Sequence, residues 1–174
     1  MKKQFWMETG ALFLSIFSAC LLNLAVMPLI LRIIDLFVEV EYFAQMLIRI
    51  VISVAVVGGI PAAVCYFVSY RKAEFELPRA CGTFSLVTLF QLLFSILLKF
   101  YPFISGGVLY LAGIFEHGTE FSSAADIEAI GFVDYLLAFV LLSVFNLVAY
   151  VICGKIGASK RLKDREKLRS ESVE

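Results

Sequence analysis

The chain has 174 residues, 61% of them hydrophobic, with a mean hydropathy of +0.91 and a formal net charge of zero. A soluble domain is closer to half apolar, and a neutral chain has no overall field to draw in nucleic acid. Four apolar stretches, each near the roughly 20 residues that cross a bilayer, use roughly half the chain and leave no room for a soluble catalytic domain.

Helix one is predicted over Thr9 to Ile34, after Lys2 and Lys3. A charged start and an apolar run resemble a signal peptide, but Glu8 interrupts the early run and the apolar stretch continues to Leu31. A cleaved signal has a core of only about 7–15 residues, so the expectation is an uncleaved first span. Pro28 predicts a kink near the far end, with the carbonyl of residue 24 released. Asp35 to Glu41 is an acidic turn. Helix two is expected over Tyr42 to Tyr70, with Arg49 about two turns in and Gly58-Gly59-Ile60-Pro61 near its middle. A mid-span Gly-Gly-x-Pro predicts a weakened helix that bares carbonyls or packs closely.

The next connection, Arg71 to Arg79, is basic and contains Pro78; helix three follows over Ala80 to Phe100 and carries Lys99 at its end. Tyr101-Pro102-Phe103 breaks it. Residues 104–115 are apolar again, but about 12 residues are too short to span. This segment, rich in aromatics, is expected to be interfacial or re-entrant at the outer surface. Ser122 to Glu128 has the cap and early acids of a short helix start. Helix four is predicted over Gly131 to Gly154, and residues 155–174 form a charged, solvated, helical tail.

Basic and acidic connections alternate strictly. Lys2, Lys3, Arg71, Lys72, Arg79 and the Lys155–Arg169 run lie on one side; Asp35, Glu39, Glu41, Glu116, Glu120, Asp126 and Glu128 lie on the other. Cytoplasmic loops collect Lys and Arg. The fold class expected is therefore an all-α membrane protein: four transmembrane helices, both termini cytoplasmic, with an interfacial or re-entrant segment after helix three. Residues 1–154 form the membrane domain and 155–174 the cytoplasmic tail. The location expected is the plasma (inner) membrane. Asn23 and Asn146 are the only asparagines and neither begins a glycosylation sequon, which fits a bacterial membrane. A repeat about an axis along the membrane normal would produce the same alternation, but any even number of hairpins would too. None of the four cysteines lies in an acidic loop, so no outer disulfide framework is expected.

Charges within reach of the bilayer are expensive and mark candidate sites. Arg32, Arg49, Lys99 and Asp134 sit on four different helices near the acidic side, and are expected to line an outward-facing pocket for an anionic group such as a lipid phosphate or a carboxylate. Arg49 and Asp134 would be its deepest members and partners. The structural alternative has Arg32 and Lys99 reaching to the headgroups. Pro28, Gly58, Gly59, Pro61 and Asn146 are hinge or packing candidates. Ser143, Asn146, Tyr150 and Gly154 share one face of helix four, where Asn23 and Gln91 are placed to meet Asn146. His117 with its acidic neighbours reads as an ordinary solvated loop, so no metal site and no cofactor are expected.

No phosphate loop, Gly-x-Ser-x-Gly elbow or His-Glu-x-x-His helix occurs, and the reading is of a protein that is not an enzyme. Its partners are membrane lipids and either a second copy or another membrane protein, with no nucleic acid. The function expected is transport or lipid handling; the alternative is a non-catalytic accessory or assembly subunit of a larger membrane complex.

Overall fold

Inside a bilayer every backbone N–H and C=O must find its partner within the protein, which restricts an apolar chain of this kind to helices or a closed barrel. The computed structural model describes residues 2–37, 42–97, 106–117 and 131–171, and they are all-helical. The elements are α1 (Lys2–Phe37), α2 (Tyr42–Lys72), α3 (Leu77–Leu97), α4 (Gly106–His117) and α5 (Phe132–Glu171). Four of them contain segments long and apolar enough to cross a membrane: Phe5–Ile34, Ala44–Lys72, Leu77–Leu97 and Phe132–Ser170. Even the shortest, 21 residues, rises about 30 Å at 1.5 Å per residue, the thickness of a hydrocarbon core. These are the helices of a membrane-embedded protein. Their outward faces carry exposed Leu, Val and Phe side chains, as lipid contact requires.

The four long helices form a ring in the order α1, α2, α5, α3, and α4 is wedged between α2 and α5. Helices α1 and α5 are diagonal to one another, as are α2 and α3. This order does not fit a repeat about a central axis, which would set α1 opposite α3 and α2 opposite α5. Helices α1 and α2 are antiparallel: Asn23 meets Ser53 near one level and Glu8 meets Lys72 near another. Helices α2 and α5 are parallel, since Gly58 lies at Asn146, Gly157 at Tyr66, and Tyr70 at Asp164.

Two expected features take a different form. Helix α2 continues unbroken through Gly58-Gly59-Ile60-Pro61. Proline there costs one backbone hydrogen bond, to the carbonyl of Val57, but neighbouring turns keep the helix intact. Helix α5 also passes residue 155 without a break and ends at Glu171. Its charged extension is docked: the Tyr70 hydroxyl donates to Asp164 Oδ2 at 2.8 Å, and the Arg161 guanidinium lies 5.3 Å from the centre of the Tyr70 ring. The short apolar segment is α4. The Tyr101-Pro102-Phe103 break, Glu39 and Glu41, and the Ser122–Glu128 segment lie outside the described residues.

The closest helix contact is α2 against α5, and glycine makes it. A Cβ at Gly58 would lie 2.3 Å from Asn146 Oδ1; one at Gly154 would lie 2.9 Å from Cys65 Sγ on α2, and 2.3 Å from the Phe75 ring of the α2–α3 turn; one at Gly157 would lie 2.4 Å from the Tyr66 carbonyl oxygen. Gly59 has nothing within 4 Å, so only the first glycine of the pair is needed for packing. Lipid tails are as apolar as Leu, so helices in a bilayer associate through such close approach and through polar contacts rather than by the hydrophobic effect.

Gly58→Ala is expected to destabilise the bundle by about 1–3 kcal/mol, the usual range for overpacking. Asn146→Ala should recover part of that loss, giving a positive coupling in a double-mutant cycle followed by thermal unfolding in detergent. Gly157→Ala meets backbone and should have no such partner, and Gly59→Ala should be neutral or slightly stabilising.

Candidate functional site

Of the four charges expected to share an outward pocket, the three described ones, Arg32, Arg49 and Asp134, are not joined to one another by ion pairs. Arg32 is exposed on α1 and Lys99 lies outside the described residues. Arg49 engages α4: its Nη1 donates to the Tyr110 hydroxyl, and its guanidinium carbon sits 4.8 Å from the ring centre. Asp134, in the first turn of α5, has no hydrogen bond or ion pair among the described residues. Carboxylates in a first turn are favoured by the helix dipole without any side-chain partner. Arg49 is therefore an anchor for α4. That helix starts at mid-bundle depth, with Gly107 against Ser53, and runs toward the acidic end, where Tyr110 meets Arg49.

The mid-span polar residues are partly brought together. Gln91 and Asn146 line one small void of about 30 Å³ with Thr88 and Ser143, room for one or two waters. Asn23 is buried elsewhere and donates to Ser53 Oγ at 2.9 Å. Tyr150 is buried against Phe84 with ring centres 5.5 Å apart, so the polar face of α5 does turn inward.

The larger cavity, about 630 Å³, opens at the basic end of the ring. All four long helices wall it: Glu8 and Leu12 from α1, Cys65, Ser69 and Lys72 from α2, Arg79 and Thr83 from α3, and Tyr150 from α5. Its mouth is shaped by the α2–α3 turn. Ala73 adopts φ 59° and its N–H bonds the Ser69 carbonyl at 2.9 Å. This is the left-handed cap that closes a helix, usually on glycine. Alanine there carries the Cβ penalty of that conformation. Pro78 then sits in the first turn of α3, where a missing N–H costs nothing. The tight turn swings Phe75 onto Gly154 and Arg79 toward α1.

Glu8 is the centre of this end. Its carboxylate pairs with Lys72 through Oε1 and lies 2.8 Å from Arg79 Nε through Oε2. The Arg79 Nε–H is off the line of that contact, and Nη2 is buried without a hydrogen-bond partner. Thr83, on the next turn of α3, is only 2% exposed, and its hydroxyl also has none. From the sequence alone Glu8 counts only as an interruption of an apolar run, and Lys72 and Arg79 only as markers of sidedness. The available signal was the expense of a carboxylate one turn inside an apolar helix.

Among the described residues no group of three or more His, Cys, Asp or Glu side chains is placed to hold a metal ion, and none of the four cysteines is in a disulfide. The acids proposed to accompany His117 lie outside the residues whose side chains are described. Compared with protein-family models, with curated proteins and with solved structures, the chain matches none.

Replacing Arg49 with Gln, or Tyr110 with Leu, should loosen α4 and raise amide exchange in residues 106–117, whereas Tyr110→Phe should keep most of the ring contact. A coupling near 1–2 kcal/mol is expected for a partly desolvated cation–π pair. Asp134→Asn should change stability by less than about 0.5 kcal/mol, as for a surface site.

Proposed function

We propose that this is a multi-pass protein of the plasma (inner) membrane, with both termini and the basic end in the cytoplasm. It takes an anionic group from that side into the middle of its bundle, and so belongs to transport or lipid handling rather than to enzymes. The observation that carries the reading is the 630 Å³ cavity walled by all four long helices. A bundle whose helices served only to anchor a complex has no need of a largely apolar cavity of this size with Glu8, Lys72 and Arg79 at its edge. Beyond the cavity, past the buried cluster of Leu12, Ile16, Val57, Phe84 and Tyr150, Gln91, Asn146, Thr88 and Ser143 line a separate void of about 30 Å³. The two spaces do not join into an open pore among the described residues. This suits a carrier or a lipid-handling protein in which a headgroup enters while apolar parts stay against the helices.

This cavity stands at the opposite end from the one anticipated from Arg32, Arg49, Lys99 and Asp134, and the functional reading moves with it. The sidedness is supported by the sorting of Lys and Arg to one end. The re-entrant character of residues 104–115 is supported by the start of α4 beside Ser53, well inside the bundle.

In a background with the native cysteines replaced, a membrane-impermeant maleimide on intact bacterial cells should label Leu36→Cys. It should label Arg169→Cys only after permeabilisation. Labelling in the reverse order would refute the orientation.

In proteoliposomes the protein should speed transbilayer exchange of a fluorescent phosphatidylglycerol at least ten-fold over protein-free vesicles, read by an impermeant quencher. Ala80→Phe, which fills the cavity, should abolish the gain at unchanged helix content. Exchange at the protein-free rate would turn the assignment toward an accessory subunit.

A further inference from the structure

We propose that the basic-end cavity is a binding site for a phosphate-bearing amphiphile, its phosphate seated on Arg79, Lys72 and Thr83 in the place that the Glu8 carboxylate now occupies. The proposal rests on the reading that this cavity takes up an anion, and names the chemistry of the ligand.

Three observations carry it. The first is charge. One carboxylate faces two cations, Lys72 and Arg79, so the cluster keeps one unit of positive charge even with Glu8 in place. Glu74 and Glu76 also line the mouth; they are exposed, as Lys72 is, and salt screens all three more than the partly buried Arg79, so the positive charge that matters is the Arg79 guanidinium inside the cavity.

The second is unused donors. Arg79 Nη2 and Thr83 Oγ1 are buried without partners beside the space. Buried donors without acceptors are uncommon and costly. If the cluster were only a clasp between helix ends, the guanidinium fork would be expected to close on Glu8. Instead Glu8 spends one oxygen on each cation and leaves Arg79 Nη2 without a partner. A carboxylate has two oxygens for this task. A phosphate brings more, and Arg binds it through two parallel N–H groups while a hydroxyl donates to another oxygen. Glu8 is thus an internal stand-in for the ligand, holding the two cations when the site is empty.

The third is the wall. Leu12, Val64, Val68 and Ala80 line the cavity around the charged patch, and its 630 Å³ is within the range of about 300–1,000 Å³ usual for small-molecule sites. A free inorganic anion would leave those apolar walls unused. A headgroup with the beginning of an acyl chain covers them.

The test is equilibrium binding to the purified full chain in non-ionic detergent. The probes are dihexanoyl-phosphatidylglycerol, the phosphate-free dihexanoylglycerol, and inorganic phosphate. The phospholipid should bind at least ten-fold more tightly than either of the others. Tight binding of phosphate alone would replace the amphiphile by a free anion, and equal binding of the neutral lipid would remove the charged site.

Arg79→Gln should weaken phospholipid binding at least ten-fold, and Arg79→Lys should not restore it. Thr83→Val, a substitution of nearly the same shape, should weaken it about three- to ten-fold. Glu8→Gln should tighten it several-fold, because the competitor is gone; a merely structural ion pair gives no such gain. Helix signal and size-exclusion profile identify any variant that misfolds, and Thr83→Val keeps the test available if the charge variants do. No binding by the unaltered chain, or weakened binding in Glu8→Gln, overturns the proposal. Binding that follows these variants without lipid exchange in vesicles would keep the site and refute the transport reading. Exchange with binding unmoved by Arg79→Gln and Thr83→Val would do the opposite.

Discussion

The approach of α2 to α5 is the contact on which the rest of the bundle depends. Helix α2 packs on α1, α4 and α5, and α4 is held mainly by α2 and α5. In a bilayer no hydrophobic force draws two apolar helices together, so backbones must come close enough for dense packing and polar contact. Gly58, Gly154 and Gly157 permit that at successive levels, each against a different kind of atom: an amide side chain, the Cys65 thiol and a backbone carbonyl. Once α2 and α5 are locked in parallel, their antiparallel partners α1 and α3 close the ring. The space between the four is set by how far those partners stand from the axis.

What stands in that space follows from the cost of burying polar groups. At mid-span, Asn23 donates to Ser53 while its own Oδ1 stays unpaired, and Gln91 and Asn146 line a small void. At the acidic end, Arg49 lies on an aromatic ring and tethers α4. At the basic end the chain is tighter. A left-handed Ala73 and a proline in the first turn of α3 confine the reversal to residues 73–76, and this brings Arg79 to a carboxylate on α1. Glycine at position 73 would close the helix at lower conformational cost. An alanine there, buried beneath the turn, shows that packing under the cavity mouth outweighs the backbone preference.

Much of this was legible in the sequence, because span length and charge sorting are properties of single segments. Four apolar stretches of bilayer length can be counted without knowing their neighbours, and the 12-residue piece after helix three was too short to join them; it is α4. The inward polar face of α5 was legible too, from the three- and four-residue spacing of Ser143, Asn146, Tyr150 and Gly154. Pairing was not. The partner of Arg49 is Tyr110, and nothing in the composition of α4 says how deep its first turn lies. Gly58 and Gly59 look alike in the sequence, yet only one faces a neighbouring helix. Asn23, Gln91 and Asn146 all lie mid-span, but a small difference in helix rotation sends the first to Ser53 and the others to a shared void.

Glu8 shows why a charge inside an apolar run is better weighed by its possible partners than by its effect on hydropathy. Taken along the chain it shortens a span. Taken across the bundle it pairs with two cations, and both come from the ends of helices joined by one short turn. Two cations converging on one acid create a local excess of positive charge within a neutral chain. The nearby hydroxyl of Thr83 and the free edge of Arg79 give that excess a direction, into the cavity rather than out to solvent. An unmade buried hydrogen bond costs about 1–3 kcal/mol; Asn23 Oδ1 and Arg161 Nε are unpaired too, but Arg79 and Thr83 alone among these residues line the open cavity. Their persistence beside an open space is the physical reason for assigning this end of the molecule, and not the charged residues of the other end, to ligand binding.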